Sequence, residues 1–209
     1  EGRAFDSGNP ENFIVFGDLA TIANPMRGAV APGTQPGLEA TSYFGPEGGT
    51  TSSGAHGLIV EVDPETLMVE IVRYVVVHDC GVEINPMIVN GQVKGGVVQG
   101  IGNAFFERIE YDDNGQLLNG TLADYLIPTS LEAPKIEVDH HTTPSTLNNL
   151  GIKGVGEAGA IPVGPLFAQA VEDALSPLSK GLEVLDIPLS PYHLWKLVEK
   201  SLKDTNAIG

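Results

Sequence analysis

With 209 residues, 42% of them hydrophobic, the chain can bury a sizeable core as one domain or two small ones, which excludes general disorder. Its 27 Asp and Glu against 11 Lys and Arg give a formal charge of −16, a field that repels phosphate backbones and anionic membrane surfaces and so excludes nucleic acid as the main partner. The single cysteine, Cys80, cannot form an internal disulfide. No run approaches the roughly 18 apolar residues of a membrane span, and no basic and apolar leader opens the chain, so a cytoplasmic protein is expected.

The first residue is Glu1 rather than methionine, which points to a fragment or a processed subunit of something longer. Residues 1–55 are rich in Gly, Pro, Ser and Thr and show little sustained periodicity. They read as an extended segment that wraps over a partner surface, with a partly disordered tail as the ordinary alternative. Residues 56–209 form the predicted domain proper. "HGLIVEVDPETLMVEIVRYVVVHD" places two β-branched runs around Asp63-Pro64-Glu65-Thr66, where Pro64 suits the second position of a type I turn, so a hairpin is expected. Apolar residues on both faces of its second strand (Val69, Ile71, Val75 and Val77 against Met68, Val72 and Val76) imply a central strand covered on both sides.

Asn85-Pro86 reads as the N-cap and first residue of a helix over "PMIVNGQVKGGVVQGIGNAFF". Its five glycines, Gly91, Gly95, Gly96, Gly100 and Gly102, each cost about 0.8 to 1 kcal/mol relative to alanine. At about 100° per residue, Gly91, Gly95, Gly102 and Gln99 share an arc of roughly 80°, a bare face with one amide for something to lie against. Close packing on another helix explains such a face equally well. "RIEYDDNGQLLNGT" suggests a hairpin around Asn114-Gly115, and "KIEVDHH" a further strand. Pro165 starts a helix with Leu166, Ala170, Val171 and Ala174 on one side. Ser190-Pro191 caps the last, whose Leu194, Leu197, Val198 and Leu202 face a core or a partner. Strands and helices mix without βαβ alternation, so the class is α+β, a mixed or antiparallel sheet with helices packed on it.

Among candidate sites, GxGxxG occurs nowhere after a strand in the dinucleotide-binding arrangement, and the P-loop motif and GxSxG are absent. "VVVHDCG" resembles a metal site, but neighbours on a strand point to opposite faces, so His78, Asp79 and Cys80 cannot chelate one ion from a regular strand. A turn fixed by Asp79, with Cys80 as a small buried residue, is the simpler reading, and "DHH" at 139–141 fails as a ligand set for the same reason. No metal-ligating set is therefore assigned. "GIKGVGEAG" (151–159) sets one carboxylate, Glu157, among Gly154, Gly156 and Gly159, which open the backbone to a ligand, and Ile152, Val155, Ala158 and Ile161, which can exclude water. A dry carboxylate is a candidate general base, although a solvated loop acid is the ordinary alternative.

"PGLEATSYF", "AHGLIVEVDPET", "VHDCGVEINPMIVNGQVKGGVVQGIGNAFFE", "DYLIP" and "NNLGIKGVGEAG", in this order over residues 30–175, resemble the C-terminal part of the molybdenum-binding large subunit of the xanthine oxidase family of molybdenum hydroxylases. The match looks closest to the carbon monoxide dehydrogenase large-chain branch, a superfamily that includes aldehyde oxidase and xanthine dehydrogenase. The resemblance implies a molybdenum-cofactor-binding domain with Glu157 as general base toward a molybdenum-bound hydroxide, and Gln99, Val155 and Gly156 as contacts to a molybdopterin cofactor, expected in its cytosine dinucleotide form. It further implies hydroxylation of an aldehyde or N-heterocycle with water as oxygen source. Electrons would leave through [2Fe-2S] and FAD on partner subunits.

Large subunits of that family are several times longer than this chain, so the remaining segments must come from a second molybdenum-binding chain or the rest of the subunit. The rival reading is a non-catalytic scaffold or interaction subunit that keeps the fold. Retention of both Gln99 and the GVGE stretch favours the enzyme, because a scaffold has no use for an isolated acid.

Overall fold

Where the sequence shows little periodicity, the chain still folds locally. Arg3–Asp6 (β1) and Asn9–Val15 (β2) pair antiparallel, with Phe5 opposite Phe13. Their rings meet at 6.1 Å, and the Arg3 guanidinium sits 4.3 Å over the Phe13 ring. Asp6 closes the turn by accepting the Gly8 N–H at 2.9 Å, and Phe16–Ile22 (α1) follows directly. These elements belong to the first of two compact units, Glu1–Gly45; the second is Pro46–Gly209.

The computed structural model describes residues 2–24, 26 and 32–208, so the part of the Gly/Pro-rich segment at 25 and 27–31 lies outside the described residues. The expected boundary at residue 55 moves to 45. Residues 46–55 join the second unit because Thr50 accepts the Gly154 N–H at 2.8 Å and Ser53 begins a strand.

That strand, Ser53–Val62 (β3), forms the predicted hairpin with Val69–Asp79 (β4). Asp63 holds the turn by accepting the N–H groups of Glu65 (2.8 Å) and Thr66 (3.0 Å). Strand Ile136–His140 (β5) adds parallel to the other side of β4, so β4 is central as expected. The alternation read from sequence does not survive intact. The register slips between Ile59 and Val60, leaving Val72 as an extra residue in β4. Val69 and Ile71 therefore turn toward the core before the slip, and Tyr74, Val76 and His78 after it, while Val77 faces outward. Nor is β4 covered on both sides. Ile59, Met68, Val72 and Val77 are exposed, and among the described residues only one face of the sheet carries helices.

The covering helices are Pro86–Phe105 (α2) and Val163–Leu175 (α3), followed by Pro191–Ile208 (α4). Asn85 caps α2 as predicted, its side chain accepting the Ile88 N–H at 3.3 Å, with Pro86 in the first position. Helix α3 begins two residues before Pro165, and its buried stripe is Val163, Phe167, Val171 and Leu175, not the face through Ala174, which is exposed. Ser190 opens α4 by accepting the His193 N–H at 3.2 Å; Leu194 and Val198 are buried, whereas Leu202 is exposed. Tyr74, Val76, Val93, Val97, Ile101, Val163, Phe167 and Val171 form the centre of the core. Phe105 meets Phe167 edge-to-face at 4.8 Å.

The hairpin expected around Asn114-Gly115 reduces to a turn with a single bridge, Tyr111 to Leu117. Asp112 uses its own carboxylate to take the N–H groups of Asn114 and Gln116, both at 2.9 Å, and the flanking Ile109, Tyr111 and Leu118 stay exposed. Class and layering are otherwise α+β, with helices on one face of a mixed sheet.

Candidate active site

The loop bearing Glu157 is built on the end of β4. Asp79 is buried there, and one carboxylate oxygen accepts the N–H groups of Gly81 (2.8 Å) and Thr143 (3.1 Å) while the other takes Lys153 Nζ at 3.0 Å. Burial alone would raise this carboxyl, but Gly81, Thr143 and Lys153 outweigh it and hold the acid well below the usual carboxylate range. The turn predicted for "HDCG" is thus real, and Cys80 is the small buried residue expected. Burial, then the nearby Glu83, push its thiol up, away from nucleophilic use.

From this anchor the chain returns as a short antiparallel bridge between Gly81 and Ile152, with Lys153 N–H donating to the Cys80 carbonyl at 2.7 Å. Gly81 lies at φ +69°, and a Cβ there would strike the Gly151 carbonyl, so only glycine closes the bridge. Asn148 supports it by accepting the Ile152 N–H at 3.1 Å and donating to the Ile152 carbonyl at 2.9 Å.

Helix α2 fixes the other flank. Cβ atoms added to Gly96 or Gly159 would run into the facing backbone, 2.9 Å from Gly159 Cα in the first case, so two bare backbones touch. Gln92 of α2 donates to the Gly156 carbonyl at 3.0 Å, and the Glu157 carbonyl accepts the N–H groups of Ala160 (2.9 Å) and Ile161 (3.2 Å) in a tight turn leading to α3. Val155, Gly156 and Glu157 line an open cleft of about 440 Å³ with Thr50–Gly54, His56, Ala158, Ile161 and Pro162. A larger groove of about 970 Å³ opens between the β3–β4 turn, the end of α2 and residues 189–191, and contains none of the predicted site residues.

Glu157, Val155 and Gly156 therefore come together. The dry surroundings expected for Glu157 do not. Its side chain is exposed, Ile161 is 69% exposed, and Val155 and Ala158 are half-buried, because the Val155 side chain packs toward the core. Gln99 is exposed on α2 and does not line the cleft. It lies seven residues beyond Gln92, hence on the same helix side and about 10.5 Å along the axis. The bare face is smaller than the sequence suggested. Gly91 and Gly95 look onto open space, but Gly102 is occupied by Glu107 and Pro128.

Sequence reading missed Gln92 and His56. Gln92 carried a signal in its seven-residue spacing from Gln99, and His56 in being a polar residue at an inward position of β3. The His56 ring meets the buried Tyr74 edge-on, Nδ1 lying 2.9 Å from the phenol oxygen. Burial lowers the His56 pKa below its ordinary value; the Ala158 backbone opposes this and His78 adds to it. Burial likewise raises the Tyr74 phenol.

With this geometry in place, the relationships are clear. Residues 2–134 match the molybdopterin cofactor-binding domain family, and the chain belongs to it. The chain is 40% identical over 191 residues to the nicotine 6-hydroxylase large subunit of Paenarthrobacter nicotinovorans, covering 91% of this chain and 23% of that one. It is 36% identical over 193 residues to the carbon monoxide dehydrogenase large chain of Afipia carboxidovorans, covering 92% and 23% respectively. The structure of quinoline 2-oxidoreductase from Pseudomonas putida 86 superposes with TM-score 0.79 at 37% identity, over 96% of this chain and 25% of that one. This chain thus spans about a quarter of the length of these relatives. Among the described residues no helix is long and apolar enough to cross a membrane.

Proposed function

We propose that the chain is the part of a molybdenum hydroxylase large subunit that carries the catalytic base, Glu157, and one wall of the cofactor site. The observation that carries this is the Gln92 bond to Gly156, which fastens the Glu157 loop to the side of α2 bearing Gln99 and the open Gly95.

The residues fit the cofactor. A Cβ at Gly91 or Gly95 would meet nothing within 4 Å, so bare backbone lies beside the Gln99 amide, which can donate to and accept from a pterin or a phosphate. Val155 and Gly156 offer backbone groups beside the acid. When bound, a molybdenum-molybdopterin cofactor, in its cytosine dinucleotide form, would supply the redox chemistry of the hydroxylation. Glu157 would serve as the proton acceptor beside it, and the tight turn in which the Glu157 carbonyl accepts from Ala160 and Ile161 fixes the backbone that carries the acid. The cofactor and the rest of the large subunit complete the dry surroundings that this chain leaves open.

Two relatives are named for nicotine and quinoline, both nitrogen heterocycles, which favours such a ring over an aldehyde as substrate. Electrons pass to [2Fe-2S] and FAD subunits in the cytoplasm. The first unit, Glu1–Gly45, packs on the remainder of the large subunit, a role suited to its exposed Phe5, Phe16, Tyr43 and Phe44.

The test is Glu157→Gln in the assembled enzyme. Molybdenum and pterin content should stay unchanged while turnover falls by orders of magnitude, about 10³-fold or more for loss of a general base together with its charge. Near-normal turnover would sink the assignment. An assembly purified without molybdenum would favour the scaffold.

A further inference from the structure

The sheet of the second unit ends on two edges that are finished differently. On one side β5 is short, five residues from Ile136 to His140, follows Pro134 and Lys135, and carries Glu137 and Asp139. Short, charged strands are a usual way of keeping an edge from pairing with another chain. On the other side β3 runs ten residues, Ser53–Val62, with no Pro, Lys or Arg and with Glu61 as its one carboxylate. It pairs with β4 alone, and the extra residue of the bulge, Val72, belongs to β4, so β3 itself stays regular. In an antiparallel ladder every second residue directs its N–H and C=O away from the neighbouring strand. Among the described residues, β3 makes no backbone hydrogen bond beyond those to β4.

We propose that β3 is extended by a strand from the rest of the large subunit, one that sets an apolar residue beside Ile59 and a Lys or Arg beside Glu61. This rests on the reading of the chain as one part of such a subunit. The chain spans about a quarter of the length of its relatives, so the remainder is long enough to supply the strand. Ser53, Gly54 and His56, at the start of β3, line the cleft that holds Glu157, so a strand added there also brings a wall to that cleft. Farther along, Gly57 and Ile59 are exposed, and a Cβ on Gly57 would meet nothing within 4 Å, so the outer face beside the edge is open. Glu61 stands directly opposite Glu70, both exposed, and neither joins an ion pair among the described residues. Like charges so placed repel, and a cation from an adjoining strand offsets that repulsion. A second copy of β3 brings no cation, and two chains of formal charge −16 repel one another.

Hydrogen–deuterium exchange in the assembled enzyme tests this without reference to turnover. An open edge leaves about half the amides of residues 53–62 exchanging freely, whereas an added strand should slow nearly all of them about 100-fold or more relative to unprotected amides. Glu61→Lys turns the repulsion with Glu70 into an attraction, so the β3–β4 hairpin is kept. It should nevertheless raise deuterium uptake in 58–62, because it repels the incoming cation, and Glu61→Gln should fall between. Free exchange of half the 53–62 amides in the assembled enzyme would overturn the proposal, as would unchanged uptake in Glu61→Lys. Protection that rises with protein concentration would identify a second copy as the neighbour and overturn it too. Should Glu157→Gln retain activity, the base assignment fails, but uptake in 53–62 still decides whether β3 is an inner strand.

Discussion

The two sides of α2 use glycine for opposite reasons. On the packed side, Gly96 and Gly100 are buried, one against Gly159 and the other against Val163. On the open side, Gly91 and Gly95 are exposed and face nothing within 4 Å. The packed glycines are required by the fold of this chain, because a methyl group would enter space already filled. The open ones lower helix stability and gain nothing from their own chain, so their use lies in what approaches from outside.

Substitutions can break this contrast in graded steps. Gly96→Ala should be the most damaging, about 2 to 3 kcal/mol in equilibrium denaturation, because the obstacle is the Gly159 backbone and cannot rotate away. A shift within error would show that the two backbones are not in contact. Gly100→Ala should cost less, about 1 to 2 kcal/mol, since its Cβ would meet the Val163 side chain at 2.5 Å. The double variant Gly100→Ala, Val163→Ala should recover part of that loss, and strictly additive losses would refute the contact. Gly91→Ala and Gly95→Ala should have the smallest effect on stability and the opposite sign, a gain of up to about 1 kcal/mol each. In the assembled enzyme those same two changes should lower molybdenum retention. Unchanged retention in both would remove the open face from the cofactor site.

Much of this architecture was legible in the sequence. The β3–β4 hairpin, the Asn85-Pro86 start of α2 and the Ser190-Pro191 start of α4 are written in local turn and capping chemistry, which needs no knowledge of distant residues. The bulge at Val72 was not. It depends on how β4 meets β3, and it reversed the faces assigned to Val75 and Val77. The exposed second face of the sheet escaped notice for the same reason, since an apolar strand reads alike whether its cover comes from its own chain or another. Glu157, Val155 and Gly156 stood out as a glycine-bounded acid. The tether from Gln92 did not, because it is an ordinary polar side chain until the fold brings it to the Gly156 carbonyl far along the sequence.

That distance bears on the order of assembly. The Gln92 bond to Gly156 and the Asp79 bond to Thr143 each close 64 residues of chain, and the Lys153 bond to Asp79 closes 74. Such links carry a larger loop-closure cost than the β3–β4 hairpin, whose strands are neighbours in sequence. The 156–158 segment is therefore expected to settle only after the sheet and α2 have met, and pulse-labelled exchange during refolding should find its amides among the last to be protected. A cofactor arriving before that point would encounter the wall formed by α2 while the acid beside it is still free to swing aside.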